Sequence, residues 1–545
     1  MACVSTTQRR TPDDWLQSPT EAFSLAGLKA RLLYPTFHLG RVGWFIAAAL
    51  TVAAGLLRFW NLSHPHELIF DETYYVKDAY SLWHFGYERA WEDDVDDTFL
   101  TGQAQPEPDA AYVVHPPAGK WLIGAGMALF GYDSAFGWRF TAALAGTLSV
   151  LLTFVLAAKL FRSLFLASCA GLLLTIEGHH LVMSRTALLD IFLMVFVLAA
   201  FCALIADRTW GRRRLAYELA ARYRRLTAPR ATDEDRTRWK TTITYGPWLG
   251  IRPWRIVAGI LLGVAVSIKL SALAFVAVFG LLTVWWDATA RRSAGIRRWL
   301  PGAIVTDGLW AFVSIVGVGA VTYIATWAGW LRSEGGYYRN WAADQATLLP
   351  DWLASLIHYH VQSTTFHTGL DSAHNYASAA WIWPFAGRPV SFYYRTENLD
   401  CGAEECSAAI LDLPNPLIWW TGLVAMVIIF LRWLLIRDWR AGAILAVYVA
   451  GQLVWVLWPS RTMFFFYTVA YVPFLILAIT YIAGLWLART TPSGTGFTSR
   501  RLAVVGISLF VLAALVLSAY FLPIWTGEPI PQHQWRARMW FQSWI

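Results

Sequence analysis

The chain has 545 residues, 57% of them apolar and 15% charged, with a formal net charge of +8. The apolar residues gather in long uninterrupted runs, which excludes an ordinary soluble domain and points to a membrane protein. The basic residues lie mostly in short stretches between those runs, so the charge reports membrane topology and makes no case for nucleic-acid binding.

A bilayer core needs roughly 20 mostly apolar residues per helix, with about 17 to 25 tolerated. The sequence therefore predicts eleven spans, near 42–60, 136–158, 164–182, 186–206, 255–268, 270–286, 304–329, 416–436, 441–458, 463–488 and 503–525. The fifth and sixth are separated only by Lys269 and read equally as one kinked helix. Lys and Arg are retained on the cytoplasmic side, and 30 of the 44 fall in 1–41, 159–163, 207–255, 287–303, 432–440 and 489–501. The N-terminus is then cytoplasmic, and an odd span count leaves the C-terminus outside.

The expected organisation is an all-α polytopic protein in four parts. A cytoplasmic tail covers 1–41, and a transmembrane module covers 42–329 with an outer loop at 61–135. A second outer loop covers 330–415, and a C-terminal transmembrane module covers 416–545. The opening residues are polar and suggest no cleavable signal peptide. The Arg-rich stretch 207–250 reads as a cytoplasmic insertion with an interfacial helical face. Neither internal repeats nor inverted halves stand out, which weighs against a transporter or flippase.

Directly after the first span comes "WNLSHPHELIFDETYYVKDAY" at 60–80, which sets Asp71 and Glu72 at headgroup level. An acidic pair there can serve as a general base beside a lipid-borne donor. The plain alternative is an acidic loop, since twelve Asp or Glu lie between 61 and 118. Arg58, Arg139 and Arg185 fall at outer span ends, where arginine either pairs with a phosphate or snorkels to headgroups. "VVHPPAGKWLIGAGMALFGY" at 113–132 would present His115 and Lys120 at the lipid surface after two turn-forming prolines. "SRTALLDIF" at 184–192 carries Arg185 and Asp190, readable as a structural ion pair or as functional groups.

The second outer loop holds His358, His360, His367 and His374, which lack a familiar zinc spacing. Loop or acceptor contacts are the expectation for them. Trp341, Trp352, Trp381 and Trp383 share that loop and offer stacking surfaces for sugar or lipid, whereas most of the other Trp suit an interfacial belt. Cys401 and Cys406, in "CGAEEC", would close a small disulfide in an oxidising compartment, or stand as two thiols. Cys169 and Cys202 read as packing residues, and Cys3 as a tail residue.

Several motifs occur together and in order: "FDETYYVKDAYSLWHFGYE", "HPPAGKWLIGAGMALFGYD", "WRFTAALAGTLSV", "MSRTALLDIF", "GVAVSIKLSAL" and, more loosely, "WPSRTMFFFYTVAYVPFLILA". In this order they resemble the protein O-mannosyltransferases, glycosyltransferase family 39 of the GT-C superfamily. No β-trefoil MIR domain interrupts the second loop, so the likeness is to the prokaryotic branch.

The resemblance implies transfer of mannose from polyprenyl-phosphate mannose to Ser or Thr of secreted proteins, with inversion. The place would be the extracytoplasmic face of a bacterial plasma membrane. It makes Asp71 the base, Glu72 a positioning residue, and Arg58 and Arg139 donor-phosphate ligands, with Arg185 a third outer-end arginine suited to the phosphate. Lys269 and Arg461 lie in matching motifs and are further site candidates. It implies no cofactor and no divalent metal, and delivery of acceptor by the secretion translocon. A sibling enzyme that mannosylates a glycolipid or lipoglycan from the same donor is the alternative.

Overall fold

An apolar run inside a bilayer must satisfy its own backbone N–H and C=O groups, so it folds as helix. The computed structural model describes residues 19–35, 37–489 and 496–545. Among the described residues, nine helices are long and apolar enough to cross a membrane. They are Gly40–Phe59, Ala135–Phe161, Leu189–Leu226, Leu270–Ser293, Trp299–Thr326, Pro416–Ile436, Trp439–Val456, Phe465–Ala488 and Ser499–Thr526. Ala118–Phe130, Leu164–Ile176 and Pro253–Val266 are shorter apolar helices. Cys3 and much of the predicted tail 1–41 lie outside the described residues.

The span expected at 164–182 is broken at Glu177, whose backbone is extended (φ −72°, ψ 125°). Its carboxylate accepts from His180 N at 2.7 Å, capping the short helix Gly178–Met183, and from Asn415 N at 3.0 Å. A side chain that caps a helix start ends the helix before it. Lys269 likewise adopts an extended backbone (φ −145°, ψ 135°) and separates two helices rather than kinking one. The span expected to end near 206 runs on to Leu226 as one 38-residue helix. The continuation is rich in Arg, Ala and Leu, all strong helix formers. The segment beyond 207 is thus helix first and insertion second.

The chain forms two compact units. The first comprises the described residues up to 38 together with 199–263 and 275–322. Leu28, Leu32, Leu215, Leu219 and Ile296 form a buried apolar cluster there. Elsewhere in that unit Arg252 bonds Asp207 at 2.7 Å and Asp287 at 2.8 Å, and Arg255 bonds Asp287 at 2.7 Å. Each of these buried charges is answered by an opposite one, as charges out of water must be.

The second unit comprises 39–198, 264–274 and 323–545. It departs from an all-helical fold through a three-stranded antiparallel sheet of Val390–Arg395, Cys406–Asp412 and Ile530–Pro531. The first strand, "VSFYYR", alternates buried and half-exposed positions at its start, the period of a half-covered strand. Cys401 and Cys406 are bridged, tying the acidic loop to the start of the middle strand. Asn415 caps Pro416–Ile436 by accepting from Leu417 N and Ile418 N at 3.0 and 3.2 Å.

With this bridge in place, native protein kept without reductant is expected to show neither Cys401 nor Cys406 labelled by a thiol-alkylating reagent. Mass spectrometry of the 401–406 peptide before and after reduction checks this, and full labelling of both thiols beforehand would refute it.

Candidate active site

The loop that carries Asp71 is fastened at its end by Glu72, which has no solvent exposure. One carboxylate oxygen accepts from Arg139 Nε at 2.9 Å and Ala187 N at 2.8 Å. The other accepts from an Arg139 Nη at 2.7 Å and Ile69 N at 3.1 Å. Arg139 spends its remaining donors on the carbonyls of Leu62, Pro65 and Glu67. All five guanidinium N–H groups are therefore engaged within the protein.

Asp71 precedes the helix Glu72–Phe85 but makes no side-chain cap to it, so its carboxylate is not spent on the backbone. Phe70, just before it, has φ +50°, a left-handed conformation that costs a bulky residue about 1–3 kcal/mol. Aromatic packing holds it there: the Phe70 ring stacks on Phe392 at 4.8 Å and meets Phe466 at 5.7 Å and His374 at 6.2 Å. This support comes from the second loop and from the 464–466 run, so periodicity and spacing could not have shown it.

The Asp71 carboxylate is hydrogen-bonded by the Tyr75 side chain and lies within the field of Lys269 and Asp190. Burial pushes its pKa up to about 6, against the opposing pull of Lys269 and Tyr75, with Asp190 adding to the rise. Lys269 Nζ pairs with Asp190 at 2.6 Å and sits 4.8 Å from the Tyr467 ring centre. Of the two readings of Arg185 and Asp190, the mutual ion pair is not formed, because Asp190 pairs with Lys269.

Beside Tyr75 lies His115, 6.0 Å ring to ring, and beyond it His367, 5.0 Å from His115. Arg461 donates through Nε to the His367 carbonyl at 2.9 Å. Burial drives the His115 ring well below its ordinary pKa, and it holds His367 down to about 4. Both are neutral at physiological pH. The structure thus brings together Asp71, Tyr75, Asp190, Lys269, His115 and Arg461, of which Tyr75 alone was not singled out beforehand. Its signal was present, four residues after Asp71 in the first turn of the helix that Asp71 precedes.

Other expected site residues have different neighbours. Arg58 is fully buried, giving its terminal nitrogens to the carbonyls of Ala54, Leu174 and Thr175 and to the His180 ring. Arg185 donates to the carbonyls of Leu57, Arg58, Trp60 and Asn61. Both close the last turns of helices, where four carbonyls lack intrahelical partners. Lys120 is buried, not lipid-facing, and pairs with Glu88, with Asp78 at 3.8 Å. A buried ammonium needs such partners.

His358 stacks on Trp341 at 3.9 Å, and His360 bonds the Leu356 carbonyl at 2.6 Å. His374 meets Phe464 at 4.9 Å. Among the described residues no three His, Cys, Asp or Glu converge as ligands for a metal ion.

Residues 48–214 match the family model described as dolichyl-phosphate-mannose-protein mannosyltransferase, and residues 352–544 that described as the C-terminal four-transmembrane region of protein O-mannosyltransferase. A polyprenol-phosphate-mannose–protein mannosyltransferase of Mycolicibacterium smegmatis is 36% identical over 92% of this chain and 93% of its own length. The protein of the same name from Mycobacterium tuberculosis is 35% identical over 92% of each. Among solved structures, the Saccharomyces cerevisiae protein O-mannosyltransferase Pmt1–Pmt2 complex bound to the sugar donor superimposes with a TM-score of 0.65 at 14% identity. The likeness covers 95% of this chain and 94% of that one.

Removing Glu72 while Arg139 remains would strand a buried cation, an error worth about 3–5 kcal/mol. Glu72→Ala is therefore expected to lower the detergent-solubilised melting temperature sharply, and Glu72→Gln, which keeps the acceptor oxygen, less so. Unchanged melting in Glu72→Ala would contradict this account.

Proposed function

The chain belongs to the protein O-mannosyltransferase family, and from that premise we propose that it transfers mannose from polyprenyl-phosphate mannose to Ser and Thr hydroxyls of secreted proteins. The reaction takes place on the extracytoplasmic face of a bacterial plasma membrane, and Asp71 is the general base. The observation that carries this reading is the Asp71 carboxylate itself. It is half-buried, uncommitted to helix capping, and poised near neutrality in a cluster where every other acid is already paired.

In this mechanism Asp71 accepts the proton of the acceptor hydroxyl as its oxygen attacks the anomeric carbon. The bond from that carbon to the phosphate oxygen breaks, and its electron pair stays with the lipid phosphate. Attack opposite the leaving group inverts the centre. The phosphate leaves as an anion without protonation, so one base suffices and negative charge passes from Asp71 to the phosphate. Nearby cations stabilise that charge where it develops. Glu72 and Arg139 act on the reaction through the loop they hold, as positioning residues.

Asp71→Asn keeps the shape and loses the base, so transfer to a Ser/Thr-rich peptide in proteoliposomes should fall by about 10²–10⁴-fold while the protein still inserts. Near-normal transfer would eliminate Asp71 as base, and mannose appearing only in glycolipid would move the acceptor to that class. A base must be ionised to work, so kcat/KM for the wild type should be level above about pH 6 and fall tenfold per unit below it, following the raised Asp71 pKa. A profile flat down to pH 4 would contradict the assignment.

A further inference from the structure

Val390–Arg395 is an edge strand. On one side it pairs with the middle strand, Cys406–Asp412, and on the other, among the described residues, with no strand. The opposite edge of the sheet is Ile530–Pro531, two residues long and closed by a proline that has no N–H to offer. Sheet edges are normally guarded by such devices, because a row of unpaired backbone groups invites another chain. "VSFYYR" carries no proline, and its one charge, Arg395, stands at its end.

Each face of this strand already has a cover, so its edge is what remains. A bulge between Ser391 and Tyr393 leaves Phe392 without a partner across the ladder, and its ring stacks on Phe70 at 4.8 Å. On that same face Arg395 pairs with Glu67 at 3.5 Å, and the Glu67 charge acts on the Tyr393 hydroxyl. The 67–70 stretch, which leads into Asp71, therefore lies along one face. On the other face Tyr394 meets Trp535 at 5.1 Å and the Ser407 hydroxyl at 3.3 Å. Tyr394 and Arg395 are exposed, as are Thr396 and Glu397 after them. The hairpin is held at its turn, where Cys401 and Cys406 are bridged and Gln532 N donates to the Glu405 carbonyl at 3.0 Å.

We propose that the acceptor polypeptide binds as a further strand on the free edge of Val390–Arg395, beside Tyr393, Tyr394 and Arg395, and in that way delivers its Ser or Thr to Asp71. The proposal rests on the mannosyl-transfer reading and names how the acceptor of that site is held. Adjacent strands lie about 4.8 Å apart, and alternate side chains point to opposite faces. A strand added to this edge sends every second side chain toward the face along which the 67–70 stretch runs, and the others toward the face of Trp535. Its affinity comes from main-chain hydrogen bonds, which every sequence offers. The edge thus suits acceptors that share a hydroxyl and an extended backbone. A Ser or Thr inside a helix or a paired strand has no backbone groups left for the edge, so the acceptor must be unfolded at the modified residue.

The test uses full-length protein in proteoliposomes, polyprenyl-phosphate mannose as donor, and one Ser-containing peptide N-methylated at a single backbone position at a time. Each methyl group removes one N–H and, where that N–H faces the edge, stands against the strand. The KM for peptide is expected to rise about tenfold or more at every second position and to stay within about twofold at the positions between. The donor KM should not move. The same alternation is expected in peptide binding to Asp71→Asn, where nothing is turned over. Arg395→Cys locates the strand: a peptide with a single Cys should form a disulfide with it from one peptide position far faster than from the two neighbouring positions. The N-methyl series uses wild-type protein, so it decides the matter if Arg395→Cys does not fold.

Equal effects of N-methylation at neighbouring positions, with mannose still transferred, would overturn the added strand and leave the function standing. So would Cys trapping without preference for one position. Alternation in peptide binding without any mannose transfer by wild-type protein would overturn the function and leave the strand. Wild-type protein that neither binds nor mannosylates the unmethylated peptide would overturn both.

Discussion

The Glu72–Arg139 pair is the constraint on which the site depends. A buried ion pair gains little net stability, because desolvation of both charges consumes most of the Coulombic attraction. What it provides here is geometry. Glu72 accepts four hydrogen bonds and Arg139 donates five, and together they tie the loop after the first span to the second span and to the backbone at Ala187. Neither can move without exposing a charge to an interior that cannot solvate it. Asp71, one residue away, inherits that fixity while its own carboxylate stays unspent.

The resulting division of labour explains why an acidic dipeptide is used rather than two separated acids. In the proposed mechanism the first member exchanges a proton, which requires a carboxylate whose neutral and charged forms are close in energy. The second must never change charge, which requires strong permanent pairing. Burial supplies the first condition at Asp71 and Arg139 supplies the second at Glu72. Phe70 adds a third requirement, since its left-handed backbone turns the chain between the loop and the helix, and the aromatic cage of Phe392, Phe466 and His374 holds the strained residue in place.

Much of this was legible in the sequence, and the rest was hidden for physical reasons. Long apolar runs expose helices directly, since hydropathy and length are local properties. Glu177 and Lys269 stand at helix breaks, and their side chains also reach distant partners, Asn415 and Asp190, which no local rule contains. The acidic pair and its neighbours Lys269, His115 and Arg461 were visible as motifs, but their convergence was not. The three outer-end arginines show the limit most clearly. Position alone cannot tell an arginine that awaits a phosphate from one that closes the last turn of a helix, and Arg58 and Arg185 do the latter.

The site also requires that two distant stretches of chain be held together, because Asp71, Glu72 and Arg139 come from the first matched family region and Arg461 from the second. One fully buried connection between those regions is a hydrogen-bonded line of three side chains. Asp412 on the middle strand accepts from His179 Nδ1 at 2.6 Å, and the other ring nitrogen meets Thr468 Oγ1 at 3.0 Å. Thr468 adjoins Tyr467, whose ring lies against both Lys269 and Arg461. A polar line of this kind is costly if half satisfied and stiff when complete. It ties the 352–544 region, whose Tyr467 ring lies against both Lys269 and Arg461, to the 48–214 region that carries Asp71 and Glu72.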